Sequence, residues 1–188
     1  AFVISRAGPA VPPAREAHWG FVGKMLAAGA TDEEVESARR IIDLWHEGIR
    51  TGNWSSLNSA MVAARKEDWC AESGVDFFSA RPDPAFVDLS QLSRDYEPVP
   101  TLRRLQAPVL WLLSPEDESI DAKETEEILR GLMREENEIR IKLFPGFDHS
   151  MRRLGQEGQL LRWPGHPSDY FSVQAEFIHQ STNARESK

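Results

Sequence analysis

The sequence predicts an α/β fold built on a short parallel sheet, with a mostly helical insertion between the first strand and the second. Three observations support this prediction. A β-branched and aromatic run opens the chain at residues 1–5, an almost uninterrupted apolar run covers residues 107–114, and residues 139–144 alternate as a strand. Near-continuous apolar runs are typical of strands buried on both faces of a parallel sheet. Helical periodicity dominates the region between the first two runs.

The first strand, "AFVIS", is ended by glycine and proline, which predicts a buried strand running into a loop. Pro13 then suits the first turn of a helix, because proline lacks only an N–H that would be unpaired there. This first helix is predicted to extend as far as Gly29. Its apolar residues are Trp19, Phe21, Val22 and Met25.

The second helix has the strongest local signal. Thr31 and Glu34 have the spacing of a capping box, and apolar residues recur at helical intervals until Gly52. A third helix is predicted from near Asn53 to about Lys66. From Asp68 to Pro100 the pattern becomes irregular, and prolines are expected to break it into short pieces. These prolines are Pro82, Pro84, Pro98 and Pro100.

The second and third strands enclose one helix, so they form a βαβ unit in which the strands should be parallel. Asp121 is the predicted N-cap of that helix, and its inner stripe consists of Ile128, Leu129, Leu132 and Met133. A loop rich in glycine and proline follows as far as Pro167, and a last helix is predicted near residues 169–180. The predicted domains are an α/β core, residues 1–13 and 101–188, and a helical cap, residues 14–100.

Composition excludes several classes of partner. Acidic residues outnumber basic residues by 30 to 22, which gives a formal charge of −8, and no basic stripe is present that could follow a phosphate backbone. We therefore expect neither nucleic acid nor a membrane as a partner. Cys70 is the only cysteine, which leaves no intrachain disulfide and no zinc motif. Cellular location stays open, with the cytoplasm as the default expectation.

Two chemically active side chains follow the second and third strands. Asp117 lies just past the second strand and His149 just past the third. Because parallel strands end at the same edge of a sheet, these residues should meet in space. A carboxylate beside an imidazole fixes its tautomer and stabilises the imidazolium, as in a nucleophilic triad. Acidic neighbours leave the choice of carboxylate open between Asp117 and Glu116, Glu118 or Asp121.

The segments "APVLWLLSPEDESID" and "IKLFPGFDHSM" resemble the final βαβ unit of α/β-hydrolase-fold serine hydrolases, particularly the dienelactone-hydrolase and prolyl-oligopeptidase-like (S9) group. The resemblance implies that Asp117 is the orienting acid and His149 the general base. It also implies a small-molecule ester or peptide substrate and no cofactor or metal. Ser114 and Ser150 depart from this family, which usually has glycine at both positions.

The order Ser, Asp, His of this fold requires a serine before Asp117, on an elbow written G-x-S-x-G. The sequence contains no such elbow, and it begins without Met in a strand-like run. We therefore expect the nucleophile and the oxyanion donors upstream of Ala1, and we expect the chain alone to be inactive. If the sheet instead starts at the first strand, that strand is an exposed apolar edge that could dock another chain, as a non-catalytic interaction module derived from the same fold.

Two weaker alternatives also involve the residues that follow the second and third strands. Asp117 could itself act as a nucleophile, as in haloacid-type enzymes. Carboxylates and imidazole are common metal ligands, so Asp117, Asp148 and His149 could form a metal site. No recognisable metal motif supports the second alternative.

Overall fold

The chain has a mixed α/β structure. The computed structural model describes residues 1–27, 29–75, 78, 96–133, 138–155 and 165–186. Within these ranges there are three strands and seven helices. In chain order they are β1 (Val3–Arg6), α1 (Pro13–Ala27), α2 (Asp32–Thr51), α3 (Ser55–Ala64), α4 (Asp68–Ser73), α5 (Pro98–Arg104), β2 (Val109–Leu113), α6 (Ala122–Met133), β3 (Ile139–Leu143) and α7 (Tyr170–Glu186).

The chain divides into two compact units. Unit 1 consists of Ala1–Val11 and Glu97–Lys188, and unit 2 consists of Pro12–Tyr96. The sequence placed the limits of the helical insertion at residues 14 and 100. That this insertion acts as a cap stays a prediction. None of the helices within the described ranges is both long and apolar enough to cross a bilayer.

The sheet of unit 1 has the order β1-β2-β3, and both pairings are parallel. In the register, Val109 on β2 lies opposite Val3 on β1 and Ile139 on β3. The predicted parallel βαβ unit formed by β2, α6 and β3 is therefore confirmed. The carboxyl ends of β2 and β3 lie side by side, because Leu113 is opposite Leu143.

The core of unit 1 lies on both faces of β2. All five residues of this strand are buried, as the apolar run predicts. Because successive side chains of a strand point to opposite faces, β2 contributes to two separate clusters. Val109, Trp111 and Leu113 pack with residues of α6 on one face. Leu110 and Leu112 pack on the other face with Tyr170 and Phe177 of α7.

Two predictions about buried residues in unit 1 are wrong. The strand β1 was expected to be buried, but Val3 is 39% exposed, because in the described part of the chain β1 pairs only with β2. Met133 was placed on the inner stripe of α6, but it is 40% exposed. It ends the helix, so the preceding turn, with Leu129 and Leu132, completes the contact with the sheet.

The prediction that prolines divide residues 68–100 holds for Pro98, which begins a short helix, but is wrong for Pro100, which lies inside that helix. Pro98 begins α5, and Pro100 follows two residues later in the same first turn. Proline is tolerated there because the first N–H groups of a helix have no intrahelical acceptor. The side chain of Glu97 caps this helix by accepting a hydrogen bond from the N–H of Val99. Pro82 and Pro84 lie outside the described residues.

Helix α7 is tied to β3 by an ion pair. The ammonium group of Lys142 donates to the carboxylate of Asp169 at 2.5 Å, just before the helix begins. This hydrogen bond lowers the pKa of the Asp169 carboxyl. Further along, Arg140 donates to the side chain of Gln180. The predicted terminal helix is confirmed, although it continues beyond residue 180.

Unit 2 is a helical unit with its own core. The capping box at Thr31 and Glu34 is confirmed, and α2 buries the apolar face that its periodicity predicts. Helix α3 lies within its predicted range, whereas α4 occupies part of a segment that we expected to be irregular. Trp45, Trp54 and Trp69 pack in or against this core. Trp19 is instead 44% exposed.

We predict that Gly48→Ala destabilises unit 2. Alanine normally favours a helix over glycine, but a β-carbon at Gly48 would lie 2.6 Å from the indole ring of Trp54. Overpacking of this kind costs about 1–3 kcal/mol. Gly23→Ala in α1 is the matched control, because a β-carbon there meets no atom within 4 Å. Denaturant unfolding should show the control stabilised by about 0.5–1 kcal/mol. Equal stabilisation of both variants would contradict the prediction.

Candidate active site

Two turns meet at the carboxyl edge of the sheet in unit 1. The Asp turn, residues 114–121, follows β2, and the His turn, residues 144–151, follows β3. The structure brings together the two residues that the sequence singles out. Nδ1 of His149 lies 3.1 Å and 3.0 Å from the two carboxylate oxygens of Asp117. Whether this pair is catalytic stays a prediction.

The carboxylate of Asp117 is held rigidly. Its side chain is fully buried, and Oδ1 accepts hydrogen bonds from the N–H groups of Ser119 at 2.8 Å and Ile120 at 3.1 Å. Aspartate commonly accepts from N–H groups a few residues on, and this local bonding shapes the turn. A buried charge is tolerated only where such partners are present. Oδ2 accepts from neither of these N–H groups and lies 3.0 Å from Nδ1 of His149.

The imidazole of His149 has one bonded and one open nitrogen. A carboxylate can only accept, so Nδ1 carries the proton and the lone pair lies on Nε2. The side chain is 40% exposed, and Nε2 has no hydrogen-bond partner among the described residues. The arrangement leaves Nε2 able to accept a proton while Asp117 stabilises the resulting cation.

The acidic neighbours of Asp117 have other partners. Glu116 accepts a hydrogen bond from the N–H of Gly146 at 2.9 Å, and Glu118 accepts one from the N–H of His149 at 3.2 Å. Both carboxylates thus hold the backbone of the His turn. Asp121 caps α6, as predicted, by accepting from the N–H of Glu124 at 2.8 Å. Asp117 is therefore the carboxylate that contacts the imidazole.

Asp148 is turned toward Arg152 and the backbone of its own turn. Its carboxylate accepts from the N–H groups of Ser150 and Arg152 at 3.0 Å and 2.7 Å, and from the Arg152 guanidinium at 2.9 Å. The metal alternative requires this carboxylate to face His149 and Asp117, so the geometry does not support it. Within the described residues, no three histidine, cysteine, aspartate or glutamate side chains converge in a way that could hold a metal ion.

His166 supports the His turn, a role that no sequence pattern indicated. Met151 is fully buried and adopts a left-handed backbone conformation, with φ at 57°. Its carbonyl accepts a hydrogen bond from Nδ1 of His166 at 2.8 Å, and the ring of His166 stacks on Tyr170. These contacts depend on the approach of His166 to Met151, 15 residues away in sequence, so no local pattern could have predicted them. They fix the end of the turn that carries His149.

Unit 2 contains an open groove of about 880 Å³. Among the four tryptophans of the insertion, Trp69 lines this groove. Its walls carry mainly hydroxyl and charged side chains, including Arg40, Ser56, Ser59 and Glu67. The other tryptophans contribute to packing or to the surface of unit 2.

Fold and site together define unit 1 as a mixed α/β domain with an aspartate–histidine pair at the carboxyl edge of a parallel sheet. Comparison with protein-family models, with curated proteins and with solved structures found no match to this chain.

We predict that Asp117→Asn changes the tautomer of His149. The asparagine oxygen can still accept from Ser119 and Ile120, which leaves its NH2 group opposite Nδ1. An NH2 group only donates, so the imidazole proton should move to Nε2. The imidazole ¹⁵N chemical shifts in an NMR spectrum report this change directly.

Asp121→Asn is the matched control for this experiment. Asparagine is as good an N-cap as aspartate, and Asp121 does not contact the imidazole. The control should therefore keep the wild-type Nδ1–H tautomer. If Asp117→Asn kept it as well, the pairing between Asp117 and His149 in solution would be disproved.

Proposed function

We propose that the chain is the C-terminal part of an α/β-hydrolase-fold serine hydrolase that acts on carboxylic esters or peptide amides. The observation that supports this most is the Asp117–His149 pair, with the carboxylate buried and Nε2 open. The pair sits where the resemblance to that family requires it, with Asp117 four residues after β2 and His149 six residues after the adjacent parallel strand β3. The parallel α/β architecture of unit 1 is compatible with part of such a fold.

In the proposed reaction, a serine hydroxyl attacks the acyl carbonyl of the substrate. Nε2 of His149 takes the hydroxyl proton, and the imidazolium then transfers it to the departing alcohol or amine. Water repeats these steps on the acyl-enzyme and releases the acid. Asp117 holds the ring in the required orientation throughout and stabilises its charged form, because its carboxylate contacts Nδ1.

The nucleophile in this proposal lies outside the 188 residues. The sequence has no G-x-S-x-G elbow, and the family order places the serine before both Asp117 and His149. We therefore place the serine and the oxyanion donors on a segment that precedes Ala1 in a longer protein. The 188-residue chain provides the acid–base pair and has no hydrolase activity alone.

We predict that the source reading frame upstream of Ala1 encodes such an elbow. The longer protein should hydrolyse short-chain p-nitrophenyl esters and react with a fluorophosphonate probe at the elbow serine. In that protein, Asp117→Asn should lower kcat by about 10⁴-fold, and His149→Ala should lower it by about 10⁶-fold. His179→Ala, at an exposed position on α7, is the control and should leave kcat unchanged. A reading frame that starts just before Ala1, or an elbow without serine, would refute the proposal.

A second candidate function is a non-catalytic interaction module, and the exposure of β1 favours it. In the described part of the chain, β1 has one free edge, and Val3 on it is 39% exposed. Free strand edges present unpaired N–H and C=O groups to other chains. A partner that brings additional strands could pair with this edge.

We predict that Val3→Lys weakens any association made through β1. Lysine on an edge strand opposes edge-to-edge pairing because its charge would be desolvated. Val62→Lys, at a 62% exposed position on α3, is the matched control. Sedimentation, with and without the upstream half added as a separate chain, should show association lost only in Val3→Lys. A wild-type chain that stays monomeric under both conditions would rule out the docking function.

A further inference from the structure

We propose that Ser114 is a positioning residue that locks the His turn onto the Asp turn. The proposal rests on the proposed function, in which the two turns carry the acid–base pair. The resemblance to the hydrolase family offers no such role, since that family usually has glycine at this position. Here a buried hydroxyl bridges the two turns instead.

The hydroxyl of Ser114 donates one hydrogen bond and accepts another. It donates to the carbonyl of Phe147, two residues before His149, and it accepts from the N–H of Glu116 at 3.3 Å. A carboxylate oxygen of Glu116 also lies 3.3 Å from the hydroxyl oxygen. Ser114 is fully buried, directly after β2 and three residues before Asp117. One side chain thus holds both the start of the Asp turn and the middle of the His turn.

Solvent cannot readily replace this bridge. The other backbone contacts between the turns come from Glu116 and Glu118, whose side chains belong to exposed residues. Water can compete for those carboxylates. The Ser114 hydroxyl and its hydrogen bond to Phe147 are buried, so loss of the hydroxyl would leave the carbonyl of Phe147 without its partner. The Ser114 bridge is therefore the contact between these turns that is shielded from water, and we expect the spacing between Asp117 and Nδ1 of His149 to depend on it.

Ser114→Ala tests this role, because it keeps the β-carbon and removes only the hydroxyl. We expect the ¹⁵N spectrum of the 188-residue chain to show His149 as a mixture of tautomers, in place of the single Nδ1–H form. Ser114→Gly should give the same result. If Ser114 acted only by filling space, Ser114→Ala would keep the wild-type spectrum and Ser114→Gly alone would change it.

Thr125→Val is the matched control for loss of a buried hydroxyl. Thr125 is fully buried in the same unit, and its hydroxyl accepts from the N–H of Ala10 at 3.2 Å. This variant should lower the melting temperature without altering the His149 spectrum. If Ser114→Ala lowered the melting temperature but left His149 as in the wild type, the positioning role would be refuted.

A measurement on the wild-type chain covers the case in which Ser114→Ala fails to fold. The Ser114 hydroxyl proton should exchange slowly with water, because it is buried and bonded. A rapidly exchanging proton would overturn the proposal.

The longer protein separates this proposal from the proposed function. If that protein is a hydrolase, Ser114→Ala should lower kcat by about 10²-fold and leave KM almost unchanged. An unchanged kcat would refute the positioning role of Ser114 and leave the proposed function intact. If the longer protein has no hydrolase activity, the proposed function fails, while the spectra of the 188-residue chain still decide whether Ser114 positions His149.

Discussion

The parallel pairing of β2 with β3 is the constraint on which the rest of unit 1 depends. Because Leu113 lies opposite Leu143, the chain leaves both strands at the same height and in the same direction. The Asp turn and the His turn therefore run side by side. Burial of β2 on both faces holds this strand between the two clusters, with β1 and β3 on either side.

Buried polar groups then determine the conformation of the two turns. Asp117 and Asp148 each place a nearly inaccessible carboxylate at this edge, and each accepts hydrogen bonds from N–H groups two to four residues further along the chain. Once those donors are used, Asp117 faces the imidazole and Asp148 faces Arg152. Asp117 and Asp148 thus take different partners because the hydrogen bonds from nearby N–H groups orient each carboxylate differently.

Backbone strain is concentrated in the same region. Among the described residues, the non-glycine residues with positive φ are Ala7, just after β1, and Met151, at the end of the His turn. Such conformations are costly and persist only where surrounding contacts hold them. Met151 is held by its buried side chain and by the hydrogen bond from His166 to its carbonyl. Both strained residues lie at the edge of the sheet that carries the candidate site.

The sequence by itself determined the local elements and the approach of the acidic turn after β2 to His149. Apolar runs, helical periodicity and the capping signals at Thr31 and Asp121 act between near neighbours, so they can be read along the chain. Tertiary structure alone decided which acidic residue meets the imidazole, how Ser114 and His166 support the His turn, and which parts of β1 and α6 stay exposed. These features depend on contacts between residues far apart in sequence, so local sequence patterns cannot predict them.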